Sequence, residues 1–379
     1  MNIAISINRA TDISLAQILY TTRPKNVNIK IVTSSFNCGS EYNWVSGKSL
    51  QRWLQNEDIV SLKKFFGKDL IHCDNLYAYK SIIKQFSVGI FPGREPFILK
   101  TMPEKIICIS AVRDYFNRYL DLINVRPCKI VLNSKNWIDK DYCGLWGMGT
   151  KENYEQDYKF IQKHRKDFII ADPYADYVNI LNKEKIRMKY SIPMNKKVAL
   201  LSLRRGDPDL TFFKSDESFF KNNIDAIKNL KSRGYYIVSR RRISYQDTHV
   251  RRKDSAENTR YQEFDKLIDL DMTGWSSFPN TIWEACAMSD IMLLCDMSGI
   301  ARREASIMKT PVLIPSFDKE IYEKNLLKSW DPAMVDLHNS GLLARNLSEA
   351  STDQYKQSMT EFNERWHQGN SCTFWQSVI

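Results

Sequence analysis

Short, continuous apolar runs alternate along the chain with stretches in which apolar residues recur every three or four positions. Runs of the first kind predict buried β-strands, and stretches of the second kind predict amphipathic helices. In the first half of the chain this pattern predicts strands at Asn2–Ile7, Val27–Ser34, Asp69–Asp74, Ser87–Phe91 and Lys105–Ile109, and helices at Ile13–Thr21 and Ser49–Phe66. Strands that alternate with helices in this way are typical of a parallel α/β sheet.

The same alternation starts again near Lys196. It predicts strands at Lys197–Leu203, Tyr235–Ser239, Ile291–Asp296 and Pro311–Ile314, and helices at Phe219–Ser232, Ile282–Met288 and Ala301–Met308. The segment between the two series, Asp172–Asn195, contains two proline turns, so we place a domain boundary there. This predicts an N-terminal domain over residues 1–180, a second domain over residues 181–347 and a helical tail over residues 348–379.

Two such series predict an α/β protein built of two doubly wound, Rossmann-like domains. Ligands of open parallel sheets bind at the carboxyl ends of the strands. In proteins with two domains of this kind, the ligand site lies preferentially between them. We therefore expect the two domains to face a cleft, and the functional residues to follow directly after predicted strands.

Composition excludes several classes of protein. The chain has 379 residues, of which 43% are hydrophobic and 26% are charged, so it can fold around a substantial core. Its eight cysteines include no C-x-x-C pair, which argues against a structural zinc site and favours reduced thiols in the cytoplasm. No uncharged apolar stretch approaches the roughly 18 residues that a membrane-spanning helix needs. The expected location is cytoplasmic, with at most a peripheral contact to the membrane.

The charge is positive and unevenly distributed. The formal net charge is +11, and the segment from Lys228 to Lys253 is strongly basic. A basic segment of this kind binds nucleic acid, anionic lipid or a phosphorylated substrate, or it is simply a solvated surface. Composition alone leaves these alternatives open.

The stretch after the strand predicted to end at Asp296 carries the clearest chemistry. Ser298 and Gly299 form a tight turn into a helix, whose first N–H groups and positive dipole end favour a phosphate. Gly299 lets the backbone approach the phosphate closely, and Ser298 can cap the helix. Glu304 follows in the same helix, where its carboxylate can accept hydrogen bonds from ribose hydroxyls. The alternative is an ordinary helix opened by an N-cap serine.

The same stretch resembles two known families over roughly residues 187–322. Ser298-Gly299, Glu304-Ala305 and the segment Thr310–Leu313 resemble the donor-site motif of UDP-N-acetylglucosamine 2-epimerase. Ser289-Asp290-Ile291, the turn from Asp296 to Ser298, and a later segment with Pro315, Asp318 and Tyr322 resemble the CDP-glycerol glycerophosphotransferases, which make teichoic acids and capsules. Both resemblances imply the two-domain GT-B fold of glycosyltransferases and a nucleotide-activated, UDP- or CDP-linked donor.

The GT-B resemblance implies which residues meet the donor. Arg204, Arg205 and Gly206 follow one predicted strand, and Arg240 and Arg241 follow the next. GT-B enzymes generally work without a metal, so cationic side chains and a helix dipole must balance the leaving nucleotide diphosphate. We therefore expect neither a metal nor a cofactor, and we expect at least one of these arginines to contact phosphate.

The acceptor side then lies in the N-terminal domain. A transferase needs a general base to deprotonate the attacking hydroxyl. Asp12, His72 and Asp74 are the candidates near strand ends, and His72 and Asp74 are two apart, so both can face the same side. Arg9, in the loop after the first strand, can hold an anionic acceptor. Each carboxylate or imidazole can equally be a structural hydrogen-bonding group.

The leading hypothesis is a metal-independent transferase that builds a bacterial-type surface polysaccharide such as capsule, O-antigen or a teichoic-acid-like polymer. Its partners would be a nucleotide-sugar or nucleotide-polyol donor and a glycan or lipid-linked acceptor, with no nucleic acid. One alternative is an isomerase resembling UDP-sugar 2-epimerases, in which Asp12 and Asp74 would serve in elimination. The absence of that family's N-terminal motif argues against it. A third reading is a nucleic-acid-binding protein that uses the basic segment.

Overall fold

A computed structural model describes much of the chain. The described residues are 1–7, 12–34, 54, 56–92, 105–109, 127–138, 155, 158–159, 161–203, 217–241, 260, 262–272, 282–294, 300–313, 344 and 346–379. They fall into two compact units. Those of the first unit lie within Met1–Asp176 and Glu364–Ile379, and those of the second lie within Tyr177–Ser329 and Met334–Asn363.

The strands lie where short apolar runs occur. In chain order they are β1 Asn2–Ile7, β2 Asn28–Ser34, β3 Leu70–Cys73, β4 Val88–Phe91, β5 Lys105–Ile109, β6 Cys128–Leu132, β7 Phe168–Ile170, β8 Val198–Leu203, β9 Tyr236–Arg241, β10 Leu270–Asp271, β11 Ile291–Leu294 and β12 Val312–Leu313. Most are buried along their length, as expected for parallel strands covered on both faces.

The helices carry apolar residues at helical spacing. They are α1 Ile13–Thr21, α2 Asn56–Phe66, α3 Leu76–Ile83, α4 Tyr177–Ile180, α5 Lys183–Lys189, α6 Glu217–Ser232, α7 Ile282–Met288, α8 Ile300–Ile307, α9 Leu347–Ala350, α10 Asp353–Trp366 and α11 Ser371–Val378. Gly234, at φ +82°, follows α6 in the left-handed conformation that favours glycine at a helix end. None of these helices combines the length and the apolar content that crossing a bilayer requires.

The first unit is built on one parallel sheet. Within the described residues it has seven strands in the order β3-β2-β1-β4-β5-β6-β7. Ile3 pairs with Ile29 on one side and with Val88 on the other, which makes β1 the strand at which the chain reverses its direction of travel across the sheet. Such a strand order is doubly wound and Rossmann-like.

The second unit repeats this plan with five described strands in the order β10-β9-β8-β11-β12, again all parallel. Its core on one face joins the strands to α7 and α8 through Val238, Met292, Cys286 and Ala305. The predicted fold class, an α/β protein with two Rossmann-like units, is confirmed. The assignment of acceptor and donor roles to the two units stays a prediction.

Aspartates fix the amino ends of strands in the second sheet. Oδ2 of Asp290, the residue before β11, accepts a hydrogen bond from the backbone N–H of Val198 at 2.7 Å and pairs with Nη2 of buried Arg187 at 2.7 Å. Oδ1 of Asp290 binds Nζ of Lys183 at 2.5 Å. Asp269, the residue before β10, accepts from the N–H of Ile237 at 2.8 Å in the same way. The Ser289-Asp290-Ile291 motif therefore aligns strands at the amino edge of the sheet.

The end of the chain packs onto the first sheet, at the carboxyl ends of β6 and β7. The N–H of Gln368 donates to the carbonyl of Asn133 at 2.8 Å, and the N–H of Asp172 donates to the carbonyl of Gln368 at 2.9 Å. The hydroxyl of Ser134 donates to the carbonyl of Arg365 at 2.7 Å. These contacts cover the two strand ends with protein.

Candidate functional site

The sequence-predicted site residues divide into two groups. Six lie outside the described residues: Arg9, Arg204, Arg205, Gly206, Ser298 and Gly299. The other six are described, and all lie at or near the carboxyl edges of the sheets: Asp12, His72 and Asp74 in the first unit, and Arg240, Arg241 and Glu304 in the second.

His72 is held by the strand next to its own. β2 and β3 pair so that Thr33 is opposite His72. The Thr33 hydroxyl oxygen lies 2.9 Å from Nδ1 of His72, and Thr33 is fully buried. Nε2 of His72 lies 3.9 Å from Oδ1 of Asp74, whose side chain is exposed. The fold therefore places the predicted His72 and Asp74 side by side, and it adds Thr33, which the sequence pattern marks only as a strand residue.

The environment of His72 favours its neutral form. Burial lowers the pKa of the imidazole below its ordinary value, and Lys63 lowers it further, while Asp74 opposes the shift. When Nδ1–H donates to Thr33, the lone pair stands on Nε2, the nitrogen nearer to Asp74. A neutral imidazole with an available nitrogen can take a proton, which is what a general base does.

Asp12 occupies a different position at the same edge of the sheet. It precedes α1 at the N-cap, with only 5% of its surface exposed, and its side chain does not cap the helix. It follows β1, the neighbour of β2, so β1, β2 and β3 bring Asp12, Thr33 and His72 to one half of the carboxyl edge. The carboxyl ends of β6 and β7, in the other half, are covered by the tail.

In the second unit, Arg240 and Glu304 lie near one thiol. Arg240, in β9, pairs with Ser202 of the neighbouring strand β8. It is two residues after Val238, so its side chain is on the same face of the sheet as Val238, the face that α7 and α8 cover. Glu304, on α8, is buried, with 8% of its surface exposed. Burial raises the pKa of the Cys286 thiol well above its ordinary value, Glu304 adds to this effect, and Arg240 opposes it. A guanidinium and a carboxylate therefore both lie near the Cys286 thiol on α7.

Tyr190 also lies near Arg240, and it is hydrogen-bonded to Glu284. The Tyr190 hydroxyl donates to Oε2 of Glu284 at 2.7 Å, and Nζ of Lys189 lies 2.9 Å from the same oxygen. Burial and Glu284 raise the pKa of Tyr190, whereas Arg240 lowers it. Nothing in the sequence pattern distinguishes Glu284 from a solvated residue in the first turn of a helix.

Arg241 is the last residue of β9 and pairs with Leu203, the last residue of β8. The backbone therefore brings Arg240 and Arg241 to the carboxyl end of β8. Arginine is suited to bind phosphate through several N–H groups at once. The buried carboxylate of Glu304 can accept hydrogen bonds from sugar hydroxyls. This part of the second unit therefore contains a guanidinium and a carboxylate, which are groups that can bind a phosphate and a sugar hydroxyl.

Comparison with known proteins supports the fold. The sequence matches no protein-family model and no curated protein. The structure is similar to the wall teichoic acid polymerase TagF, with a TM-score of 0.58 and 14% identity, over 100% of this chain and 87% of that one. It is also similar to MnaA of S. aureus, solved with UDP, with a TM-score of 0.52 and 12% identity, over 100% of this chain and 94% of that one.

These similarities confirm the fold that the resemblance of residues 187–322 implies. The chain has the GT-B type of fold, with two Rossmann-like units.

Proposed function

We propose that this protein is a GT-B-type transferase that uses a nucleotide-activated donor, UDP- or CDP-linked, to build a bacterial-type cell-surface polysaccharide. The observation that carries the proposal is the joint position of Arg240 and Glu304 beside Cys286, near the carboxyl edge of the second sheet. The similarity in fold to a teichoic acid polymerase and to a protein solved with UDP supports the same choice. The reaction would take place in the cytoplasm.

On the donor side, the guanidinium of Arg240 would bind the diphosphate and balance the charge that develops as the nucleotide leaves. Arg204, Arg205, Gly206 and Arg241 would complete the phosphate contacts, together with the helix entry at Ser298 and Gly299. The carboxylate of Glu304 would hold the ribose hydroxyls. In this proposal the protein's own cations and the helix dipole stabilise the leaving group.

On the acceptor side, Nε2 of His72 would remove the proton from the attacking hydroxyl. The hydroxyl oxygen would then bond to the anomeric carbon or to the donor phosphorus, and the bond to the nucleotide portion would break. Asp74, 3.9 Å from Nε2, would stabilise the imidazolium that forms. The acceptor would be a glycan or a lipid-linked chain, and Arg9 would bind its anionic group. Asp12 is the second candidate for the base.

A second candidate function is isomerisation of a nucleotide sugar, and the similarity in fold to MnaA with UDP favours it. In that case Asp12 and Asp74 would serve as the acid and base of an elimination. The two functions differ in one requirement, because an isomerase converts a nucleotide sugar with no acceptor present. A nucleotide sugar whose configuration changes in the absence of acceptor would therefore favour the isomerase.

Thermal unfolding in the presence of UDP, CDP, GDP, CMP and several nucleotide sugars tests the proposal. A ligand that binds only the folded protein raises the Tm by mass action. We expect a selective increase with one nucleoside diphosphate, reduced in Glu304→Gln and in Ser298→Ala. Glu184→Gln, which changes an exposed glutamate on α5, is the matched control and should retain the increase. No increase with any nucleotide, combined with salt-sensitive binding of oligonucleotides, would overturn the proposal.

A further inference from the structure

Two methionines protrude from the second unit. Met188, on α5, is 62% exposed, and Met194, in the loop between α5 and β8, is 50% exposed. The loop folds back on itself and on α5, because the N–H of Lys196 donates to the carbonyl of Pro193 at 3.1 Å and Nη1 of Arg187 donates to the carbonyl of Lys196 at 3.2 Å. Both methionines therefore belong to one surface beside the amino edge of the second sheet.

Exposed basic residues surround these methionines. Lys185 lies one helical turn before Met188, on the same side of α5. Lys196 and Lys197 are exposed at the end of the loop. Arg233 is exposed three residues before β9, whose first residue, Tyr236, donates its N–H to the carbonyl of Lys197 at 2.7 Å, so Arg233 also lies at the amino edge of this sheet. We call the set of Lys185, Met188, Met194, Lys196, Lys197 and Arg233 the amino-edge surface.

The positive charge of this surface is not neutralised within the part of the chain that the structure describes. Neighbouring Lys183 and Arg187 pair with Asp290, and Lys189 pairs with Glu284. No ion pair involves Lys185, Lys196, Lys197 or Arg233 among the described residues. Glu184 is the one acidic residue of α5. The surface therefore combines apolar side chains and unneutralised cations, on a chain whose net charge is +11.

We infer that the amino-edge surface docks on a membrane rich in anionic lipid. Lysines near such a membrane are attracted to its headgroups, and apolar side chains beside them enter the boundary with the acyl chains. Methionine suits the second task because it is long, flexible and apolar. A single-stranded nucleic acid would instead require exposed aromatic side chains on which bases stack, whereas the neighbouring Tyr190, Tyr235 and Tyr236 are all partly buried. This inference does not depend on the donor chemistry.

Co-sedimentation of the full chain with vesicles tests the inference. One set of vesicles is phosphatidylcholine alone and the other contains phosphatidylglycerol as well. We expect binding to the second set only, decreasing as salt rises. Lys196→Gln and Lys197→Gln should each weaken binding about fivefold at low salt, given about 1 kcal/mol per lysine. Met188→Asp and Met194→Asp should each weaken it about tenfold.

Val60→Asp is the matched control, because Val60 is 67% exposed on α2 of the first unit. It should bind vesicles as the unchanged protein does, and the Tm of every variant should match that of the unchanged protein. Equal binding to both sets of vesicles, or none to either, would overturn the inference. The inference would also be overturned if the methionine variants bound vesicles as the unchanged protein does while the lysine variants lost affinity for oligonucleotides. That result would assign the surface to nucleic acid.

Discussion

The Thr33 hydroxyl oxygen lies 2.9 Å from Nδ1 of His72, across two neighbouring parallel strands. Thr33 is fully buried and β-branched, so its side chain has little freedom to move. The pairing fixes the plane of the imidazole and directs Nε2 to the side where Asp74 lies. The pairing of β2 with β3 thus brings together the candidate base, His72, and the residue that orients it, Thr33.

The first prediction concerns the pH dependence of transfer. The base must be neutral to act, and burial lowers the pKa of His72 below its ordinary value of about 6.5. Activity should therefore fall as the pH decreases through a pKa below about 6.5, and it should be constant across neutral pH. Initial rates of nucleotide release, measured over pH at low donor and acceptor concentrations, check this. A rate that falls only on the alkaline side would contradict it.

The second prediction separates the base from its support. His72→Gln should lower kcat by about 10²–10⁴-fold and leave the Kd of the donor unchanged. Thr33→Val should lower kcat less and shift the acidic limb of the pH profile, because the imidazole loses a partner. Thr33→Ser keeps the hydroxyl and serves as the control, and it should restore both rate and profile. If Asp12→Asn abolishes transfer while His72→Gln does not, Asp12 is the base.

A third prediction concerns Asp290. Its replacement by alanine would leave Arg187, which is 6% exposed, without its carboxylate, and would release the N–H of Val198. We expect the second unit to lose about 3 kcal/mol of its free energy of unfolding, measured by urea denaturation. Lys183→Gln, which breaks a half-exposed pair with the same carboxylate, should cost less than about 1 kcal/mol. Equal losses in the two variants would show that the buried pair with Arg187 stabilises the second unit no more than the half-exposed pair with Lys183 does.

The stability provided by Asp290 should also depend on pH. Burial alone would raise the pKa of this carboxyl, but the hydrogen bonds from Lys183 and from the Val198 N–H lower it overall. Its contribution is therefore complete above the unfolded pKa of about 4 and is lost as the pH falls through the lower folded value. Urea midpoints of the unchanged protein and of Asp290→Ala should converge at low pH. Midpoints that stay equally far apart down to that pH would contradict the ion pair as the cause.

A fourth prediction tests how the end of the chain is attached to the first unit. Oδ2 of Asp172 lies 2.8 Å from Nδ1 of His367, and both side chains are almost fully buried. Asp172→Ala should cost about 2–3 kcal/mol, because a buried imidazole nitrogen loses its partner. Lys356→Ala, in an exposed pair with Asp353, should leave the urea midpoint unchanged. A midpoint equally insensitive to Asp172→Ala would mean that the tail is held by other contacts.

Local pattern is enough to predict much of the fold. The pattern predicts α1, β5 and α7 with their observed bounds, because each has a continuous apolar face between polar ends. It does not predict β7, which has only three residues, Phe168–Ile170, after a basic run. The pattern also predicts turns in Asp172–Asn195, although α4 and α5 lie in that segment. Pro173 stands at the start of a short 3₁₀ helix, where its missing N–H has no cost.

The sequence predicts only those site residues that directly follow or end a recognisable strand. The polar residues that end β3 and β9 single out His72, Asp74 and Arg240 as candidates. Thr33 and Glu284 could not be found in this way, since their partners lie 39 and 94 residues away in sequence. The role of Asp290 was equally hidden, because only the pairing of β8 with β11 brings Val198 to its carboxylate.

Titration calorimetry with UDP and CDP tests whether the second unit binds a nucleoside diphosphate at Arg240 and Glu304. We predict binding of one of the two at a single site, weakened about 10–100-fold in Arg240→Gln and in Glu304→Gln. Arg233→Gln, at the opposite edge of the same sheet, should bind as the unchanged protein does. Absence of binding to either nucleotide, or affinities that neither variant changes while both remain folded, would show that Arg240 and Glu304 do not form a nucleotide site.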